Sequence, residues 1–270
     1  MAARSSYSPI LEPGDPSSLP PSRLATAYVP LRADRRGRGV GRKWLHLRPQ
    51  GLRLWGHSCV SDRTLRRLRV LDPLGLKVAA DLGATGILTP DVPLYGFMTP
   101  AQRERAADRH LHRLLRTIEL APRQGLDVTP LVKALEAEAL DGQLDLLDEL
   151  GLERAALYAR ELLLEHDALL LRRFVRGCHA RGLHPLLLGA QSPRALAWGP
   201  AELAGRHAYV LARRGLVLQA NGRRRRLESV TYSSHARRFL VPGHHAALFT
   251  HNHLVAQHRI EGRTSTTLET

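Results

Sequence analysis

GLERAALYARELLLEHDALLLRRFVRGCHARGLHPLLLGA, residues 151–190, holds one strand–helix–strand unit. RAALYA (154–159) is a short apolar run that ends at the polar pair Arg160–Glu161. ALLLRRFVRGCHARG (168–182) reads as an amphipathic helix, and Gly182 stands just past its end, where a left-handed cap is favoured. HPLLLGA (184–190) is apolar again and stops at Gln191. Two buried runs joined by a helix predict parallel strands with a crossover between them.

The same alternation extends outward from this unit. LRLW stops at Gly56–His57, LKVAA at Asp81, GILT at Pro90–Asp91 and DVTPLV at Lys133. LKVAADL and GILTPD are predicted strands, separated by the turn Gly83–Ala84–Thr85–Gly86. Ser61–Asp62 suits the start of a short helix, TLRRLRVL, that ends at Asp72–Pro73 and Gly75. Thr99 caps a long helix with Pro100 at its first position. That helix runs to about Leu120, with Ala106, His110, Leu111, Leu114, Leu115 and Ile118 at helical spacing. A further helix carries Leu140, Leu144, Leu147 and Leu150. Ser192–Pro193 begins another, and AYVLA (208–212) is the expected last strand. The predicted fold class is α/β: a TIM-type (β/α)8 barrel over residues 45–220, with an incomplete barrel as the alternative.

The flanks read differently. Residues 1–44 are first rich in Pro and Ser and then, in RADRRGRGVGRK (32–43), rich in Arg and Gly. They are expected to form a flexible arm, either binding phosphates or simply solvated. GLVLQANGRRRRLESV (215–230) predicts a hairpin turning at Asn221–Gly222, followed by Arg223, Arg224, Arg225 and Arg226. Residues 243–259 predict a final helix rich in histidine. Residues 221–270 are therefore expected to be a small basic C-terminal extension.

Composition sets bounds. A hydrophobic content of 43% is enough for a real core. Forty Lys and Arg against 25 Asp and Glu give a net charge of +15. Such a surface favours polyanions, so tRNA or DNA is the expected partner, although a GC-rich genome also favours arginine. Cys59 and Cys178 are too few for a disulfide framework or a four-thiolate zinc site and fit a reducing, cytoplasmic compartment. No run reaches the roughly 18 apolar residues that span a membrane, and the N-terminus has no hydrophobic run of the secretory kind.

Polar groups at strand ends gather at one rim of a barrel, and there they suggest a site. Asp91 and Asp81 are the candidate acid, base or nucleophile. The plainer reading of each is a turn cap. Lys133 follows a buried run and is costly to desolvate unless it meets a partner or a ligand. Lys133, Tyr158, Arg160, Glu161, Gln191 and His57 are the candidate substrate-binding residues. Salt bridging among Lys133, Glu161 and Asp91 is the plainer alternative. His235, His244, His245, His251, His253 and His258 crowd the C-terminal region. His244, His251 and His258 are seven apart, roughly 10 Å along a helix, too far to share one ion. No metal and no other cofactor is expected.

Several stretches resemble the tRNA-guanine transglycosylases. PLLLGAQSPRALAWG (185–199) resembles that family's strand, Gly, Ser/Thr-Pro and helix. AGRHAYVLARRGLVL (204–218) resembles the strand that follows it. LFTHNHL (248–254) resembles the Leu-x-x-His-Asn-Leu segment near the family's C-terminus, and GILTPDVPLYG sits where the family sets a substrate-contacting Asp. The resemblance implies a barrel and action on a 7-deazaguanine-type base in RNA or DNA by a pentosyltransferase, with Arg223–Arg226 holding phosphates. The chain departs from the family pattern. The Asp-Ser-Gly-Gly signature is absent, the nucleophilic Asp falls near His207, and the zinc-binding cysteines are missing with only His251 kept. The alternatives are a non-catalytic nucleic-acid-binding barrel, and a barrel hydrolase or lyase acting on a small anionic metabolite.

Overall fold

The computed structural model describes residues 6–9, 26–30, 53–57, 73–81, 83–159, 168–189, 196–205, 216–218, 224–226 and 251–260. The parallel strands are β1 (Ser6–Pro9), β2 (Thr26–Pro30), β3 (Arg53–His57), β4 (Gly86–Leu88), β5 (Asp127–Thr129), β6 (Leu131–Val132), β7 (Arg154–Tyr158), β8 (His184–Leu188) and β9 (Glu202–Gly205). They form two sheets, ordered β2-β3-β4-β5 and β1-β9-β8-β7-β6, and every pairing in them is parallel. The chain steps from one sheet to the other at Pro130, between β5 and β6. At the opposite seam β1 lies beside β2. The strands therefore follow a ring in chain order, the arrangement of an α/β barrel.

The Pro130 seam has a local cause. Proline has no N–H for a ladder and breaks the run DVTPLV into two short pieces. The Thr89 N–H donates to the Thr129 carbonyl at 3.1 Å, and the Ala156 N–H to the Pro130 carbonyl at 2.7 Å. The Leu131 N–H, left without a strand partner at this point, donates to Thr89 Oγ1 at 2.7 Å.

Alternation along the strands sorts the core into two layers. Tyr28, Trp55, Leu88, Leu131, Ala156, Leu186, Leu188 and Ala204 make a cluster drawn from strands alone, which is the barrel interior. The intervening residues Val132, Ala155, Leu157, Leu187 and Leu203 pack outward on the helices. At Gly86 the Trp55 ring leaves no room for a side chain: an added Cβ would lie 2.7 Å from the ring and from the Asp127 carbonyl.

The helices are α1 (Pro73–Asp81), α2 (Pro100–Leu120), α3 (Ala137–Glu149), α4 (Ala168–Ala180) and α5 (251–260). Helix α2 starts as its sequence predicts. Thr99 and Gln102 form a reciprocal capping box around Pro100. It buries Ala106, His110, Leu114 and Thr117, whereas Leu111 and Leu115 stay about 40% exposed. Helix α3 buries Leu140, Leu144 and Leu147 and leaves Leu150 exposed. Helix α4 buries Leu171, Phe174, Val175 and Cys178. Ile260 and Ala256 of α5 join the same outer layer.

Three sequence expectations are corrected. LKVAAD is helical, not a strand: Leu76 and Ala79 are buried one turn apart while Lys77 and Asp81 are exposed. A short apolar run does not distinguish the two periods, and Pro73 at the first helical position selects the helix. Residues 1–44 are not all a flexible arm, because β1 and β2 pair with β9 and β3 inside the barrel. AELAG, a stretch to which the sequence assigned no element, holds the last parallel strand described; the expected last strand AYVLA lies outside the described residues. DVTPLV is two strands. β10 (Leu216–Leu218) and β11 (Arg224–Arg226) pair antiparallel as a hairpin centred on position 221; the turn itself and Arg223 lie outside the described residues.

Candidate active site

The carboxyl ends of β4 and β6 bring two of the sequence-predicted residues together. Asp91 lies three residues past β4, and Lys133 directly follows β6. The Lys133 ammonium donates to Asp91 Oδ1 in a short ion pair, and to the Val92 carbonyl at 2.6 Å. Both side chains are mostly buried, at 22% and 12% exposure. An ammonium has three N–H donors. Two are engaged among the described residues.

Helix α3 holds this lysine in place, and α2 sets a buried histidine near it. Gln143 of α3 clamps its backbone on both sides: the Lys133 N–H donates to Gln143 Oε1 at 3.0 Å, and Gln143 Nε2 donates to the Lys133 carbonyl at 2.8 Å. His110 of α2 is buried behind the site. Burial, and then the Lys133 ammonium, push its pKa down to about 4, and the nearby Leu131 backbone and Gln143 side chain offset only part of this. The imidazole is therefore neutral at physiological pH and adds no second positive charge beside Lys133.

Thr89 joins the seam to the site. It supports β6 through Leu131 and stands two residues before Asp91. We expect Thr89→Val to destabilise the protein by about 1–3 kcal/mol, because the buried Leu131 N–H loses its acceptor, with Thr89→Ser close to wild type. Urea unfolding of the two variants checks this; equal losses would show that the hydroxyl bond contributes little.

The other predicted residues fall elsewhere. His57 is buried at the carboxyl end of β3, and Tyr158 ends β7 half-buried against the interior cluster. Asp81 is a correction. It sits at the end of helix α1, exposed, paired with Lys77 at 3.0 Å, and takes no part in the strand-end site. Arg160, Glu161 and Gln191 lie outside the described residues. No group of three His, Cys, Asp or Glu is arranged to hold a metal ion among the described residues.

At the other end of the barrel is a polar network that sequence reading did not anticipate. Glu202, at the start of β9, accepts from Ser8 Oγ at 2.8 Å and Tyr28 Oη at 2.9 Å, and pairs with Arg154 at 2.5 Å. Arg154 also lies over the Trp55 ring, 4.9 Å from its centre. Burial, then Glu202, raise the Tyr28 pKa well above its ordinary value, so the phenol stays a donor. These residues span β1, β2, β3, β7 and β9, crossing the seam where β1 meets β2. Glu202 and Arg154 open their strands, at the amino ends of the barrel, where a buried network is expected to serve stability.

No family model matches the chain, and no curated protein matches it. Among solved structures, the chain is similar to the crystal structure of an HpcH/HpaI aldolase from Desulfitobacterium hafniense, at 12% identity over 75% of this chain and 86% of that one, with a TM-score of 0.46. A likeness this loose carries neither a reaction nor a substrate across.

Proposed function

We propose that this barrel is an enzyme acting on a small anionic substrate, with Lys133 and Asp91 as its working pair. One observation carries the reading: a largely buried ammonium, oriented by Asp91 and the Val92 carbonyl at the carboxyl ends of the strands, with two of its three donors engaged among the described residues. Such a donor suits a carboxylate or phosphate oxygen, or a carbonyl oxygen on which negative charge develops. Asp91, beside that oxygen, is the candidate to accept or return a proton. Gln143 and His110 are positioning residues.

The test is ligand-induced stabilisation across a panel of small carboxylates and phosphates. Lys133→Met should weaken the best ligand by roughly tenfold or more, the scale of one charged hydrogen bond, while the variant keeps its circular dichroism spectrum. Equal responses from variant and wild type would sink the reading. The transglycosylase-like alternative, base exchange in RNA or DNA, is favoured only by the place of Asp91 after β4. It predicts release of guanine from tRNA that depends on Asp91 and is indifferent to small acids.

A further inference from the structure

Helix α2 presents an unusual outer face. At 3.6 residues per turn, Arg105, Arg109, His112, Arg113 and Arg116 fall within an arc of about 100°. All five are exposed, and none of the four arginines pairs with a carboxylate among the described residues. The stripe runs roughly 16 Å along the helix. Just before the helix, Tyr95 and Phe97 stack with ring centres 5.1 Å apart and planes 9° from parallel. Phe97 is 85% exposed although it is a large apolar ring. The loop is not slack: the Met98 N–H donates to the Tyr95 carbonyl at 3.1 Å, and Thr99 caps the helix two residues after Phe97.

We propose that this surface binds single-stranded nucleic acid, with the arginine stripe following the phosphates and the Tyr95–Phe97 stack taking a base. The inference is independent of the Asp91–Lys133 reading. Cations in a line alone would suit any polyanion. A stacked aromatic pair with an open ring face, in the loop that leads into the same helix, suits an unpaired base, because every base offers a flat π surface. The chain's net charge of +15 complements such a partner. Duplexes keep their bases stacked and offer Phe97 nothing. An acidic polypeptide would use the arginines and the neighbouring Leu111 and Leu115 but not the stack.

Fluorescence anisotropy of a labelled oligouridylate of about twelve nucleotides, from low to physiological salt, tests this. Wild type should bind with an affinity that falls steeply with salt. Replacing Arg105, Arg109, Arg113 and Arg116 with Ser should take about 3 off the slope of log affinity against log salt, at about 0.7 per phosphate contact. Arg109→Ser alone, a single exposed change, should take off about 0.7. Phe97→Ala should weaken binding roughly tenfold at every salt concentration and leave the slope alone. Absence of binding, an unchanged slope in the arginine variants, or wild-type affinity in Phe97→Ala would each overturn the proposal. So would a duplex or polyglutamate that binds as tightly as the single strand.

Discussion

Glu202→Ala should lower the melting temperature by roughly 10 °C. Removing one partner of a buried ion pair costs about 3–5 kcal/mol, because the charge left behind is unpaired and poorly hydrated; Arg154, with 23% of its side chain exposed, falls at the low end. Here the loss is shared: Arg154 loses its carboxylate, and Ser8 and Tyr28 lose their common acceptor. For a barrel of this size each kcal/mol corresponds to about 2–4 °C. Replacing Arg154 and Glu202 together with apolar residues of similar volume should recover much of the loss. Scanning calorimetry of the single and double variants checks both statements. A drop of only a degree or two in Glu202→Ala would show that the network does not tie the seam between β1 and β2.

Stability should also fall as pH drops below neutrality. Burial depresses His110 and His253 from an ordinary 6.5 to about 4 and lowers His184 as well. Between about pH 6.5 and pH 4 the unfolded chain therefore binds more protons than the folded one, so stability decreases as pH falls through that window. At about 1.36 kcal/mol per pH unit, His110 and His253 can each remove roughly 3 kcal/mol by the acid end. Urea midpoints between pH 7 and pH 5 isolate the histidines, since carboxylates protonate mainly below that range. His110→Gln should flatten the dependence by about one proton. An unchanged slope in that variant would contradict a buried, neutral His110.

Most of the barrel was legible because its signals are local. The runs at 154–158 and 184–188, the Thr99–Pro100 helix start and the leucine ridge of α3 are written in consecutive residues. The misses have physical reasons too. LKVAAD carries an apolar run too short to distinguish helix from strand, and that error put Asp81 at a strand end where it does not sit. β1 and β2 are short strands in Pro- and Ser-rich sequence, and only the ring closure makes them core. Asp91 and Lys133 were legible as polar stops to apolar runs. Gln143 was not, since a glutamine between buried leucines gives no sign that it clamps a backbone in another element. Glu202 was hidden in the same way: its partners Ser8, Tyr28 and Arg154 are between 48 and 194 residues away in sequence.

The most direct test of the Lys133–Asp91 account is a crystal structure with the tightest-binding small acid or phosphate. The account predicts an anionic oxygen of the ligand within hydrogen-bond distance of Lys133 Nζ, with the Asp91 carboxylate beside it. A ligand seated at the amino ends of the strands, or one bound while Lys133 remains untouched, would contradict it.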